Sequence, residues 1–408
     1  MRLNIPMTAT GDESGLDVAQ LRQLTPGCLL VNHLNNAGCA LPPRIVTDTV
    51  VDHLHLEAMI GGYEAHSDAR GRIAAVYHSV AQLVGARSDQ IALLESATAA
   101  WQKAFTAIHH SRPFGPGDRI LVSSSEYASN VLPIMQLVKA RGVRLEFIPD
   151  DEHGCVDVAA VANLLGDEVA AVVINHCPSQ NGLINDVAAI GAALRAADSS
   201  AWYLVDACQS IGQLPVAAGE IGADFISATG RKFLRGPRGT GFLYASDRAI
   251  AELEPFPLDL HSATWQPDGY DVARGAVKFE SWEKSYAAIL GLGAAVDYAL
   301  DCGIEALSTR IAYLSQYART GLDAISAVTV RDRGLLQSGI VSFTHGRIEA
   351  QTLVPLLREA QINVSLSTPD YARVDFDSRA IAAVVRVSPH AYNTVAELDS
   401  LLEVVTNA

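Results

Sequence analysis

The chain has 408 residues, 49% of them hydrophobic and 18% charged. That is enough to bury the core of two lobes and too apolar for a disordered chain. A net charge of −15 argues against nucleic acid or an anionic membrane as partner, since both demand a positive field.

Apolar runs such as "VAAVVIN" are far too short to cross a bilayer, and no leader of basic then apolar residues opens the chain. Cys28, Cys39, Cys155, Cys177, Cys208 and Cys302 are scattered, without the C-x-x-C spacing of a zinc site. The expectation is a cytoplasmic protein with free thiols and no metal.

In chain order, "ESATAAWQKAF" (95–105) opens a helix with small polar residues. The free N–H groups of Ala97 and Thr98, with the Thr98 hydroxyl, make either a phosphate cradle or an ordinary cap. "DRILVSSS" (118–125) reads as a strand, followed by the amphipathic "ASNVLPIMQLVKARG" and the strand "VRLEFIPDD". Tyr127 comes directly after the first of these strands, placed either to stack on a flat ligand or to pack structurally.

Then come "VAAVVINHC" (169–177), the helical "DVAAIGAALRAAD", "AWYLVDACQ" (201–209), "ADFISATG" (223–230) and "GTGFLYAS" (239–246). Near-continuous apolar strands separated by helix-length segments predict a mainly parallel α/β sheet covered on both faces. Ligands in such sheets gather at the carboxyl ends of the strands. Asp206 closes one strand, as a helix cap or as the partner of a buried cation.

Lys232, one of five lysines, lies in the glycine-rich "SATGRKFLRGPRGTGFLYA" (227–245). A desolvated lysine there is a nucleophilic amine able to form a Schiff base; a solvated loop lysine is the bland alternative. Beyond Tyr286 a long helical stretch leads to "GIVSFTH", "AQTLVPLLREAQ", "INVSLS", "AVVRVSP" and "VAELDSLLEVV", a smaller α+β lobe.

Phosphate cradle, stacking ring, acid and lysine, in this order, resemble the class V aminotransferase family of fold-type I pyridoxal phosphate (PLP) enzymes. That group includes cysteine desulfurases, isopenicillin N epimerase-like enzymes and the ergothioneine C–S lyase. "HLNNAGCALPP" resembles its opening motif, with Ala37 and Gly38 near the substrate carboxylate. "VDACQS" resembles the motif that supplies Asp206 for the pyridine nitrogen and Gln209 for the ring oxygen. "TGRKFLRGPRGTGFLY" resembles the Schiff-base motif, with its lysine on Lys232 and Arg231 and Thr229 beside it. "VRVSPHAYNT" resembles the motif whose arginine, Arg386, binds the substrate α-carboxylate; a fixed salt bridge to Asp375 or Asp377 is the competing reading. "FESWEKSYAAILGLGAAV" (279–296) matches the segment that reaches into the partner subunit's site.

The resemblance implies a large PLP-binding domain over 31–285, with a mainly parallel seven-stranded sheet. It also implies a small α+β domain with its connecting helix over 286–408, and an N-terminal segment, 1–30, packed on the small domain. It implies a homodimer with shared sites. Ser179 and Ser285 join the cofactor contacts, and Asn181 and Tyr63 the substrate contacts.

Departures narrow the activity. The ring-stacking position, a His in cysteine desulfurases, is Tyr127, and the loop that carries their mobile Cys, "SLSTPDYARVDFDS", has none. The partner-facing position that is often Thr is Glu283, which would repel a phosphate, so Ser285 stands in for it. Tyr63, in "IGGYEAHSDA", resembles the "GGY" segment of the ergothioneine lyase-like branch. The expected reaction is β-elimination from a cysteine S-conjugate or sulfoxide, with aminotransferase or epimerase as alternatives. A non-catalytic PLP-fold protein is disfavoured, because Lys232, Asp206 and Arg386 are all present without a DNA-binding segment.

Overall fold

The computed structural model describes residues 12–408. Strand β1 (Asn32–His33) is followed by two helices, α1 (Arg44–Ile60) and α2 (Gly62–Leu83). The large sheet then draws on β2 (Ile91–Leu94), β3 (Arg119–Ser123), β4 (Arg144–Ile148), β5 (Val169–Asn175), β6 (Trp202–Asp206), β7 (Phe225–Thr229) and β8 (Gly241–Ala245). Its order is β2-β8-β7-β6-β5-β3-β4. Strands β3 to β7 run parallel to one another; β8 is antiparallel to both β7 and β2. All seven residues of β5 are buried, which is why an unbroken apolar run, rich in β-branched Val and Ile, is stable there.

Helix α3 (Ala97–Ser111) is capped by Ser96, whose hydroxyl accepts from Ala99 N. Ala100, Trp101, Ala104, Phe105 and Ile108 are buried at the three- and four-residue spacing that packs one helical face on the sheet. Helix α4 (Ala128–Arg141) follows β3 directly and ends at Gly142, whose φ of 72° is left-handed.

A hairpin, β9 (Ala263–Gln266) with β10 (Gly269–Val272), precedes α5 (Tyr286–Cys302) and α6 (Ile304–Asp323). The small lobe adds β11 (Val328–Val330), β12 (Val341–His345), helix α7 (Ala350–Glu359), β13 (Ile362–Asn363), β14 (Ser365–Ser367), helix α8 (Arg373–Ser378), β15 (Val384–Val387) and helix α9 (Val395–Asn407). Its antiparallel sheet has the order β11-β12-β15-β14. Leu314, Phe343, Leu353, Leu357 and Leu398 form its core.

The division expected at residue 31 does not follow the hydrogen bonding. Strand β1 pairs in parallel with β13, Asn32 opposite Ile362 and His33 opposite Asn363, and Asn35 bridges to Ser388. The opening motif is therefore stitched to the small lobe, because its backbone groups complete an edge there. Of the N-terminal segment, residues 1–11 lie outside the described part. Further on, Arg22 donates to Glu397 Oε1 at 2.8 Å and Tyr392 O at 3.0 Å, and Arg310 pairs with Asp12 at 2.8 Å. No single described helix is long and apolar enough to cross a membrane.

Candidate active site

The carboxyl ends of β5, β6 and β7, the start of α3 and the first residues of α4 surround one pocket. At the start of α3 the amides of Ala97 and Thr98 occupy the first helical turn, where N–H groups lack intrahelical partners. β8 passes so close that a Cβ on Gly241 would come within 2.7 Å of Ser96 C and 2.9 Å of Ala97 N. Glycine is therefore required for the sheet to approach the helix end, and a positive helix terminus faces the pocket.

Lys232 sits in a tight turn after β7, with Arg235 N bonded to Lys232 O at 2.9 Å and Gly236 N to Gly230 O at 2.7 Å. Burial lowers its pKa; Arg231 and Arg386 push the same way, and Cys208 and Asp206 oppose them. Its Nζ lies 6.0 Å from the centre of the Tyr127 ring. Asp206, only 5% exposed, accepts from Cys208 N at 2.9 Å on Oδ1 and from Asn130 Nδ2 at 2.9 Å on Oδ2. Gln209 donates from Nε2 to Ala37 O at 3.1 Å, while its Oε1 is buried without a partner.

Ser179 and Thr229 line the same pocket; Thr229 donates to Thr240 O at 3.2 Å. Arg231 also lines it and donates from NH1 to Gly38 O. Ala37 N donates to the Ser388 hydroxyl oxygen at 2.9 Å, so the opening motif lies between the lysine loop and the 385–394 segment.

Arg386 resolves an alternative left open by the sequence. Asp375 pairs with Arg333 and Arg379, and Asp377 with Arg373, so neither holds Arg386. Arg386 donates to Ser179 O at 3.1 Å and Asn35 Oδ1 at 3.2 Å, and its Nε is buried without a partner. Desolvation pulls this guanidinium down to about 10, partly offset by the phenols of Tyr127 and Tyr371. A buried cation with only neutral partners favours an incoming anion.

Arg386→Lys is accordingly expected to cost about 1.5–3 kcal/mol, or roughly ten- to a hundred-fold in kcat/KM for amino acids. Cofactor absorbance should be retained. Unchanged kinetics with a lowered melting temperature would make Arg386 structural.

The family model for class V aminotransferases matches residues 32–401. The chain belongs to this family. A probable cysteine desulfurase of Methanothermobacter thermautotrophicus is 30% identical over 347 residues, 84% of this chain and 85% of the relative. A cysteine desulfurase of Haloferax volcanii is 26% identical over 390 residues, 92% of this chain and 89% of its own length. Among solved structures, the apo cysteine desulfurase from Thermococcus onnurineus NA1 superposes with a TM-score of 0.87 at 24% identity, covering 95% of this chain and 97% of that one. A cystine C–S lyase in complex with its product cysteine persulfide gives 0.84 at 22% identity, covering 94% and 99%.

The cofactor of this class V aminotransferase is therefore PLP, and the donor set fits it. A helix terminus suits the phosphate, Tyr127 the ring face, Asp206 the ring nitrogen and Lys232 the aldehyde. The orphaned Gln209 Oε1 and Arg386 Nε mark polar groups that the chain's own side chains leave unmet.

Ala37, Gly38 and Arg386 do not line the pocket themselves but bond to Gln209, Arg231 and Ser179, which do. Three further expected contacts stand apart from it. Asn181 was expected at the substrate, but its Nδ2 is spent on Asp375 Oδ2 at 3.2 Å, since that buried carboxylate gathers every donor in reach. Tyr63 stands on the surface of α2, 78% exposed. Ser285 caps α5, accepting from Ala288 N, and is exposed outside its own chain's pocket.

Other residues escaped the sequence reading. Glu126, just before α4, and Asn130, in its first turn, are linked to Asp206 through the Asn130 amide. Tyr371 stacks on Tyr127 with centroids 6.3 Å apart and planes at 12°. No local pattern signalled the first pair; an aromatic in the expected Cys loop was the signal for Tyr371.

Proposed function

We propose that this PLP enzyme cleaves the Cβ–S bond of a cysteine-derived α-amino acid and releases the sulfur as a free small molecule, acting as a cytoplasmic homodimer. The reading is supported by relatives named for sulfur removal from cysteine and by a structural neighbour named as a cystine C–S lyase. The observation that carries it is Tyr371. Where the desulfurases bear a mobile Cys, this ring packs on Tyr127, and Ala128 N bonds to Tyr371 O at 2.9 Å.

PLP, when bound, supplies an electron sink for a carbanion at Cα. Arg386 pairs with the substrate carboxylate and fixes the amino acid's orientation. Lys232, whose pKa burial lowers, would take the proton from Cα at Nζ. The Cβ–S bond breaks with its electron pair leaving on sulfur, and hydrolysis of the remaining three-carbon fragment gives pyruvate and ammonia. Asp206 would hold a proton on the ring nitrogen. Cys208 is no substitute acceptor: burial and Asp206 raise its thiol pKa, and it is held protonated.

A panel of cysteine S-conjugates, cysteine sulfoxides and cysteine tests this, with pyruvate, ammonia and thiol assayed together. Stoichiometric pyruvate and thiol are expected from a conjugate. A second reading, persulfide-forming desulfuration, is favoured by the relatives' names and would give alanine from cysteine without pyruvate. A 2-oxo acid that keeps the sulfur would mean an aminotransferase, and loss of optical rotation an epimerase.

A further inference from the structure

Asp206 has a second carboxyl group behind it. Asn130 Nδ2 donates to Asp206 Oδ2 at 2.9 Å and to Glu126 Oε1 at 2.9 Å. Glu126 and Asn130 are each 2% exposed. Two acids joined through one amide, out of water, are costly unless each is supplied with donors. Here each is. Ser123 Oγ reaches Glu126 Oε2 at 2.9 Å and Tyr127 N reaches Oε1 at 3.1 Å, while Cys208 N holds Asp206 Oδ1. Both N–H bonds of the Asn130 amide are committed, so it cannot rotate without stranding a carboxyl oxygen.

We infer that Glu126 and Asn130 are positioning residues for Asp206: Glu126 locks the Asn130 amide, and the amide fixes Asp206 Oδ2 so that the carboxylate meets the ring nitrogen of PLP squarely. This rests on Asp206 serving the ring nitrogen, and is independent of which sulfur substrate is used. Glu126 is anchored from the end of β3 through Ser123 and from the cap of α4 through Tyr127 N, so it transmits the rigidity of the sheet to a side chain at the end of β6. A loosened Asp206 would weaken the contact to the ring nitrogen and leave the phosphate and aldehyde contacts untouched.

The test measures dissociation constants of apoenzyme variants for PLP and for a PLP analogue with carbon in place of the ring nitrogen. Asn130→Ala should weaken PLP about tenfold, the scale of one charge-assisted hydrogen bond, and leave the analogue within about twofold. Glu126→Leu should act in the same direction and with the same selectivity. Glu126→Gln should restore wild-type affinity, because its amide oxygen still accepts from Asn130 and Tyr127 N while its NH₂ faces Ser123 Oγ. If Asn130→Ala proves too unstable to purify, Asn130→Ser, whose shorter donor cannot span both carboxyls, carries the same expectation. Equal weakening of both cofactors, or wild-type PLP affinity in Asn130→Ala, overturns the inference. Asp206→Ala is run beside them. If it too fails to discriminate between PLP and the analogue, the ring-nitrogen role of Asp206 is wrong and the inference falls with it.

Discussion

Replacing Lys232 with alanine is expected to abolish the covalent link to PLP and to slow turnover by about 10⁴-fold, the upper end for a positioned proton-transfer group. The competing lysines are occupied. Lys103 Nζ donates to Pro257 O at 2.8 Å, and Lys278 Nζ to Ile250 O and Leu253 O at 2.6 and 2.5 Å. Both are committed to backbone carbonyls, whereas Lys232 borders the pocket.

Borohydride reduction followed by peptide mapping should place the label on Lys232; a label on Lys103 or Lys278 would sink the assignment. The same burial has a thermodynamic sign. The folded pKa of Lys232 is depressed, so between it and the ordinary lysine value, near 10.4, the unfolded chain binds the extra proton. This group's share of apoenzyme stability should therefore rise with pH through that window. The slope contributed there should vanish in Lys232→Ala.

Asp206→Ala carries the second large effect. It removes the counter-charge proposed for the ring nitrogen and strands the Cys208 N–H and the Asn130 amide. Breaking a buried charge pair costs about 3–5 kcal/mol, so PLP should bind roughly 10²- to 4 × 10³-fold more weakly. Equilibrium dialysis of the holoenzyme reads this directly, and retention of PLP at wild-type affinity would contradict it. Apoenzyme melting should also fall, because two buried donors lose their acceptor.

The strands that built the pocket were readable because each is an apolar run ending in one polar residue. "VAAVVINHC" and "AWYLVDACQ" became β5 and β6 almost as read, and Asp206 and Lys232 fall at or just beyond strand ends. The edge strand Ile91–Leu94 was not read; four apolar residues between two helices have no periodicity of their own. Asn181, in "CPSQNGLIN", looked like any polar residue after a strand. What claims its amide is Asp375, 194 residues away, a pairing no local pattern encodes. Glu126 and Asn130 were invisible for the same reason, since Asp206 lies 76 residues beyond Asn130. Tyr63 and Ser285, exposed on their own chain, were reached only through family resemblance.

The pairing of β1 with β13 joins His33 to Asn363 across 330 residues. A chain emerging from the ribosome can complete the sheet of 91–245 long before that partner strand exists. Closing so distant a pair is slow rather than weak, since each doubling of a loop adds only about 0.6 kcal/mol. Asn35, Ala37 and Arg386 meet only when the two chain ends come together. The helix end at Ala97 and Thr98 is thus laid down early in biogenesis, and the cluster around Arg386 is among the last parts of the molecule to assemble.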